Sequence, residues 1–290
     1  MKRWRPLLLR LLFALAAAYA FLITGLSYIY TQHLLYPACP ASPTERAGFE
    51  SVTLTTSDGL KLDGWWRPPQ NGAVILLLGG LGSNRDAMLA EAEVLTSHGY
   101  GVLTLDYRHC AGETVTVGYD EIMELSAMRD FALSQPETEW LGVLGFSVGG
   151  ATAIRGTARM PEIRAVIAEG NYANFYDELT AAYAPPLSVQ WQVQRLVVFF
   201  FRLGSGVHPR EISPVDDLPA IAPRPALLIH GGLEAKRTRA QQQYQSASSP
   251  EDADASLWIV PNAGHGAYRT LHPAEYDARI VAFFDQAKGK

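Results

Sequence analysis

A chain of 290 residues with 48% hydrophobic content is long enough to bury one sizeable core. Its formal charge of −5 is modest and no Lys/Arg cluster lies beyond the first ten residues, which excludes a nucleic-acid footprint. Only Cys39 and Cys110 are present, so a disulfide framework and a cysteine-rich zinc site are excluded; one bridge in an exported domain and two unrelated thiols both stay open.

The amino terminus differs from the rest. Lys2, Arg3, Arg5 and Arg10 precede a nearly uncharged stretch over residues 11–30, about long enough to cross a bilayer. Ala18-Tyr19-Ala20 would satisfy a signal-peptidase site, but apolar residues continue past it, and Tyr19, Tyr28 and Tyr30 suit membrane interfaces. Residues 1–36 are therefore expected to form an uncleaved anchor, with export after signal cleavage as the alternative. The positive-inside bias puts the amino terminus in the cytoplasm and the following domain on the other side. A Pro-rich linker, residues 37–48, carries Cys39.

From residue 49 to 287 the pattern predicts an α/β domain: a mostly parallel eight-stranded sheet with helices on both faces. Residues 49–55 and 60–67 read as a hairpin about Ser57-Asp58-Gly59. Strands are then expected at 73–78, 101–106, 140–144, 164–168, 226–230 and 256–260. Helices are expected at 85–98, 121–134, after residue 147 to about 159, 238–246 and 273–287.

Residues 171–217 interrupt the alternation with Tyr172, Phe175, Tyr176, Tyr183, Trp191 and a Phe199-Phe200-Phe201 run, and are expected to form a short helical cap. Within it, residues 187–203 read as a helix. Residues 197–201 are apolar all round, which requires burial on several sides, an acyl-binding pocket or contact with lipid.

Gly145-Phe146-Ser147-Val148-Gly149 sits between a strand-like and a helix-like run. A strand turning sharply into a helix leaves no room for side chains beside the turn, so glycines flank Ser147 and its hydroxyl is pushed out at the strand's carboxyl edge. Such a serine needs a base and a carboxylate to orient it. His265, in Asn262-Ala263-Gly264-His265-Gly266 after the last strand, is the candidate base. Glu234, the first carboxylate past residues 226–229, is the candidate acid, with Glu169, at the end of the 164–168 strand, as the alternative. The N–H groups of Leu81, in the turn Gly79-Gly80-Leu81-Gly82, and of Val148 are the candidate oxyanion donors. His98, His109, His208 and His272 have no partners at metal-ligand spacing, and His230 reads as a structural residue, so neither metal nor cofactor is expected.

With the elbow, the glycine turn, the acid loop and the histidine loop in this order, residues 49–287 resemble the α/β-hydrolase superfamily. Ser83-Asn84-Arg85, Leu105-Asp106-Tyr107-Arg108, the run from Gly145 to Gly150 and the run from Arg224 to Gly231 look like its Bem46-like and serine aminopeptidase-like membrane-anchored branch. Gly79-Gly80 stands where many relatives have His-Gly, Glu234 where aspartate is usual, and His109-Cys110-Ala111-Gly112 where a glycine-rich loop is common. The resemblance implies a serine hydrolase acting on an ester, thioester or amide through an acyl-enzyme. A carboxylesterase on an apolar or lipid-like acyl substrate is the leading expectation. A serine peptidase, and a non-catalytic membrane protein that binds a lipid or protein partner, are the alternatives.

Overall fold

The computed structural model describes residues 5–180 and 184–289; Lys2, Arg3 and the cap aromatic Tyr183 lie outside them. Helix α1 (Arg5–Leu35) contains the one stretch among the described residues long and apolar enough to cross a membrane, Pro6–Leu35, with mean hydropathy 2.2. Length and composition of this kind also suit a signal sequence.

The sheet has eight strands, as the alternation predicts: β1 (Glu50–Thr55), β2 (Lys61–Arg67), β3 (Ala73–Leu78), β4 (Gly101–Leu105), β5 (Trp140–Phe146), β6 (Ile163–Glu169), β7 (Ala226–Gly231) and β8 (Ala255–Val260). Their spatial order is β1-β2-β4-β3-β5-β6-β7-β8, with β2 antiparallel to β1 and β4 and every later pairing parallel. The order reverses at β3, which lies between β4 and β5, and such a reversal opens a crevice at the strands' carboxyl ends.

Strand β3 is apolar at every position because both its faces are covered. Val74, Leu76 and Leu78 belong to one core with residues of α3 (Ile122–Ser134) and α4 (Val148–Arg159), whereas Ala73, Ile75 and Leu77 belong to the other with α2 (Leu89–Ser97) and α10 (Pro273–Lys288). The period of two along the strand thus sends alternate side chains to opposite layers. Helix α2 begins four residues later than expected, because residues 84–88 form turns: the Asn84 side chain accepts from the Asp86 N–H, and the Asp106 carboxylate accepts from the Arg85 N–H.

Between β6 and β7 lie α5 (Phe175–Leu179), α6 (Val189–Ser205) and α7 (Pro214–Asp217); α8 (Ala240–Ala247) precedes β8 and α9 (Tyr268–Leu271) follows it. The apolar stretch of α6 is buried on one side, borders a cavity on another and is exposed on a third. Phe201 and Val197 are buried, Val197 also lines a cavity, and Phe199 is 57% exposed. Helix α1 packs along α6: Ile23, Ser27, Thr31 and Leu35, spaced four apart on one face, are buried, and Tyr28 meets Phe200 edge-on at 5.4 Å. The two cysteines are joined in a Cys39–Cys110 disulfide, tying the segment after α1 to the loop after β4.

Candidate active site

Ser147 is the turn between β5 and α4, at φ 55° and ψ −115°, a conformation that costs a non-glycine residue energy and is held by its surroundings. The Ser147 N–H donates to the Glu169 carbonyl at 2.7 Å. The flanking glycines are required by space. A Cβ on Gly145 would strike the Gly149 carbonyl, and one on Gly149 would strike the Leu78 and Gly79 carbonyls at the end of β3.

His265, in the loop after β8, lies with Nε2 3.1 Å from Ser147 Oγ and Nδ1 2.8 Å from Glu234 Oε2. The two expected loops therefore converge on Ser147 although 118 residues separate it from the histidine. The Phe146 ring, 4.8 Å from the imidazole, packs against it. Glu234 is 5% exposed and well satisfied: Tyr268 O–H donates to Oε1, the Gly231 N–H reaches the same oxygen at 3.3 Å, and Arg237 reaches Oε2 at 3.3 Å. Burial disfavours its charged form, but the hydrogen bonds from His265 and Tyr268 outweigh burial and hold its carboxyl below the usual carboxylate range.

Glu169, the alternative acid, is placed differently. It ends β6 behind the serine, accepts a 2.6 Å hydrogen bond from Tyr276 O–H, and has no bond to His265 among those of the described residues. Full burial, only partly offset by the Tyr276 bond, pushes its carboxyl up to about 8, so it is neutral at pH 7 and cannot hold an imidazolium by charge. His230 is buried and neutral, with Nδ1 3.0 Å from Thr238 Oγ1, and burial lowers it to about 4.

The oxyanion candidates flank the serine. Val148 is the first residue of α4, so its N–H has no carbonyl within the helix to serve. The Gly79-Gly80-Leu81 turn runs directly past: a Cβ on Gly80 would lie 3.4 Å from Ser147 Cβ. Tyr107, of the Asp-Tyr-Arg motif, donates its hydroxyl to the Gly79 carbonyl at 2.8 Å and fixes that turn.

Ser147, His265, Leu81 and Val148 border a cavity of about 430 Å³ whose other walls are mainly apolar, including Val117, Tyr172, Phe175, Leu179 and Val197. Three contributors escape sequence reasoning. Tyr268, three residues past His265, is legible only once the acid loop is in place. Arg237 pairs with Glu178 of α5, and Arg239 lies 2.7 Å from Asp177, so two ion pairs fasten the acid loop to the segment between β6 and β7. The third is α1 itself, whose Tyr30 and Leu34 form part of the cavity wall.

No protein-family model matches the chain. The uncharacterized protein YfhR of Escherichia coli K12 is 24% identical over 251 residues, covering 81% of this chain and 80% of that one. Among solved structures, the Pyrococcus furiosus esterase Pf2001 superposes with a TM-score of 0.68 at 26% identity, covering 88% of this chain and 98% of the esterase. The acylaminoacyl peptidase of Pyrococcus horikoshii, at 18% identity and TM-score 0.61, shares the fold over 83% of this chain and 42% of that one. Through its sheet order, its strand-to-helix elbow and these likenesses, the chain belongs to the α/β-hydrolase superfamily.

Proposed function

We propose that the protein is a membrane-anchored serine hydrolase, a carboxylesterase acting on apolar acyl substrates. The observation that carries this reading is the unbroken line from Ser147 Oγ through His265 to Glu234, at 3.1 and 2.8 Å, on the floor of a mainly apolar cavity. His265 Nε2 takes the serine proton as Oγ attacks the acyl carbonyl, and Glu234, ionised at neutral pH, holds the Nδ1–H tautomer and stabilises the imidazolium. Charge developing on the carbonyl oxygen is met by the Leu81 and Val148 N–H groups. His265 then returns the proton to the leaving group, and water, deprotonated by the same imidazole, releases the acid.

The membrane role rests on α1, and the topology on two further features. Arg10 and the other amino-terminal cations favour the cytoplasmic side for the amino terminus. The Cys39–Cys110 disulfide suits an oxidising compartment for the hydrolase domain.

Ester and amide cleavage share this machinery. The mainly apolar walls and the likeness to Pf2001 favour the ester. The test is hydrolysis of p-nitrophenyl butyrate against an aminoacyl p-nitroanilide, by the full chain and by Ser147→Ala. Butyrate turnover that vanishes with Ser147 supports the carboxylesterase. Anilide turnover that exceeds it favours a peptidase, and no turnover of either leaves a binding protein.

A further inference from the structure

The anchor does more than tether. Its last three turns are built into the domain: Ile23, Ser27, Thr31 and Leu35 are buried on one face. Leu35 joins the core that contains Val148 beside the nucleophile, and also Phe175, Phe201 and Val207. A Cβ on Gly204, near the end of α6, would lie 2.5 Å from the end of the Leu35 side chain, so α1 and α6 approach each other closely there. Leu34, the residue before this contact, and Tyr30, about a turn earlier, line the same cavity as Ser147, together with Val193, Gln194 and Val197 of α6.

Two surfaces meet at this wall. The outer face of α1 is uncharged and exposed from Leu11 to Ile29, with Phe21 82% exposed, as a helix clothed in lipid should be. The exposed side of α6 continues it with Phe199 and Leu203, and carries Arg195 and Arg202 two turns apart, the mixture of apolar and cationic side chains that lies at a headgroup boundary. The cavity of the candidate hydrolase thus shares its wall with the membrane-facing helix pair.

From this geometry we infer that the substrate is an ester lipid resident in the bilayer, and that its acyl chain reaches Ser147 along the α1–α6 seam, with Tyr30 and Leu34 setting the chain length accepted. The inference rests on the serine-hydrolase reading and deepens it. An acyl chain that passes from hydrocarbon into a mainly apolar seam never crosses water, whereas one delivered from solution has to leave its aggregate first. Each methylene left unburied weakens binding by about 0.8 kcal/mol.

The test uses the full chain in phosphatidylcholine vesicles and measures Ser147 labelling by two alkyl fluorophosphonates, hexadecyl and ethyl. Leu34→Trp, which fills the wall, and Tyr30→Ala, at a position already 56% exposed and so tolerant of change, are compared with Leu12→Trp, which is exposed on α1 away from the cavity. Leu34→Trp is expected to lower the hexadecyl-to-ethyl rate ratio about tenfold, the loss of roughly two buried methylenes. Tyr30→Ala is expected to shift that ratio at least threefold, and Leu12→Trp to leave it alone. Unchanged ratios in both wall variants, or equal shifts in all three, overturn the inference while the hydrolase reading stands. Absence of labelling by either probe in the wild type removes that reading and this one together.

Discussion

At the scale of single residues, the two glutamates separate by environment. Glu234 is ionised and touches His265; Glu169 is neutral and touches Tyr276. Glu234→Gln leaves a neutral partner on Nδ1 and is expected to lower kcat on p-nitrophenyl butyrate by about a hundredfold or more. Glu169→Gln keeps an acceptor for the Tyr276 hydroxyl and is expected to hold activity within about threefold, well inside the range of a change that touches no reacting atom. The two acids also differ in their effect on stability. A carboxyl raised to about 8 in the folded protein keeps its proton while the unfolded chain loses it. Its contribution is therefore full below the ordinary carboxylate range and is lost as pH rises towards 8. Replacing Glu169 by Gln should consequently raise Tm relative to wild type, with a gain that grows from pH 5 to pH 8; thermal melts across that range check it, and a pH-independent difference would contradict the assigned protonation.

Ser147 and His265 were legible because their local signals are strong: glycines that a tight turn demands, and a histidine in a small-residue loop after the last strand. Glu234 was legible only by position, and chain position alone could not separate it from Glu169, since both end or follow strands on one rim. What separates them is the ring of donors around Glu234, above all Tyr268, which opens α9, 34 residues away along the chain.

At the scale of elements, β3, β4 and β7 fall where their apolar runs place them, because strands covered on both faces carry an unmistakable signal. Helix bounds shift where capping and turn chemistry override periodicity, as at residues 84–88. The packing of α1 on α6 had no sequence signal, since hydropathy identifies a span without saying what its buried face touches. That packing is testable: Leu35 is fully buried, and Leu35→Ala is expected to destabilise the fold by about 2–5 kcal/mol, as deletion of a core leucine does. Denaturant melts of the detergent-solubilised protein read this directly. A change within about 0.5 kcal/mol, the size of a surface substitution, would mean that α1 hangs free of the domain.

For the whole molecule, the disulfide ties the segment that follows α1 to the loop after β4. The bond spans 71 residues, enclosing β1 to β4, and closing a loop of that length restricts the unfolded chain by roughly 4 kcal/mol. Its pairing was beyond the sequence because two cysteines so far apart carry no spacing pattern. The double variant Cys39→Ser, Cys110→Ser should lower the denaturation midpoint in oxidising buffer to that of the reduced wild type. Equal midpoints for oxidised and reduced wild type would show that the thiols are free.

We propose an activated serine held by His265 and Glu234 in a membrane-anchored domain. The most direct measurement is mass-spectrometric mapping of a fluorophosphonate adduct on the full-length protein, with Ser147→Ala and His265→Ala alongside. One adduct is expected, on Ser147, absent from Ser147→Ala and slowed at least about a thousandfold in His265→Ala, the scale of a lost general base. A folded wild-type protein that takes no adduct, or takes it elsewhere, would mean that Ser147 is not the activated nucleophile.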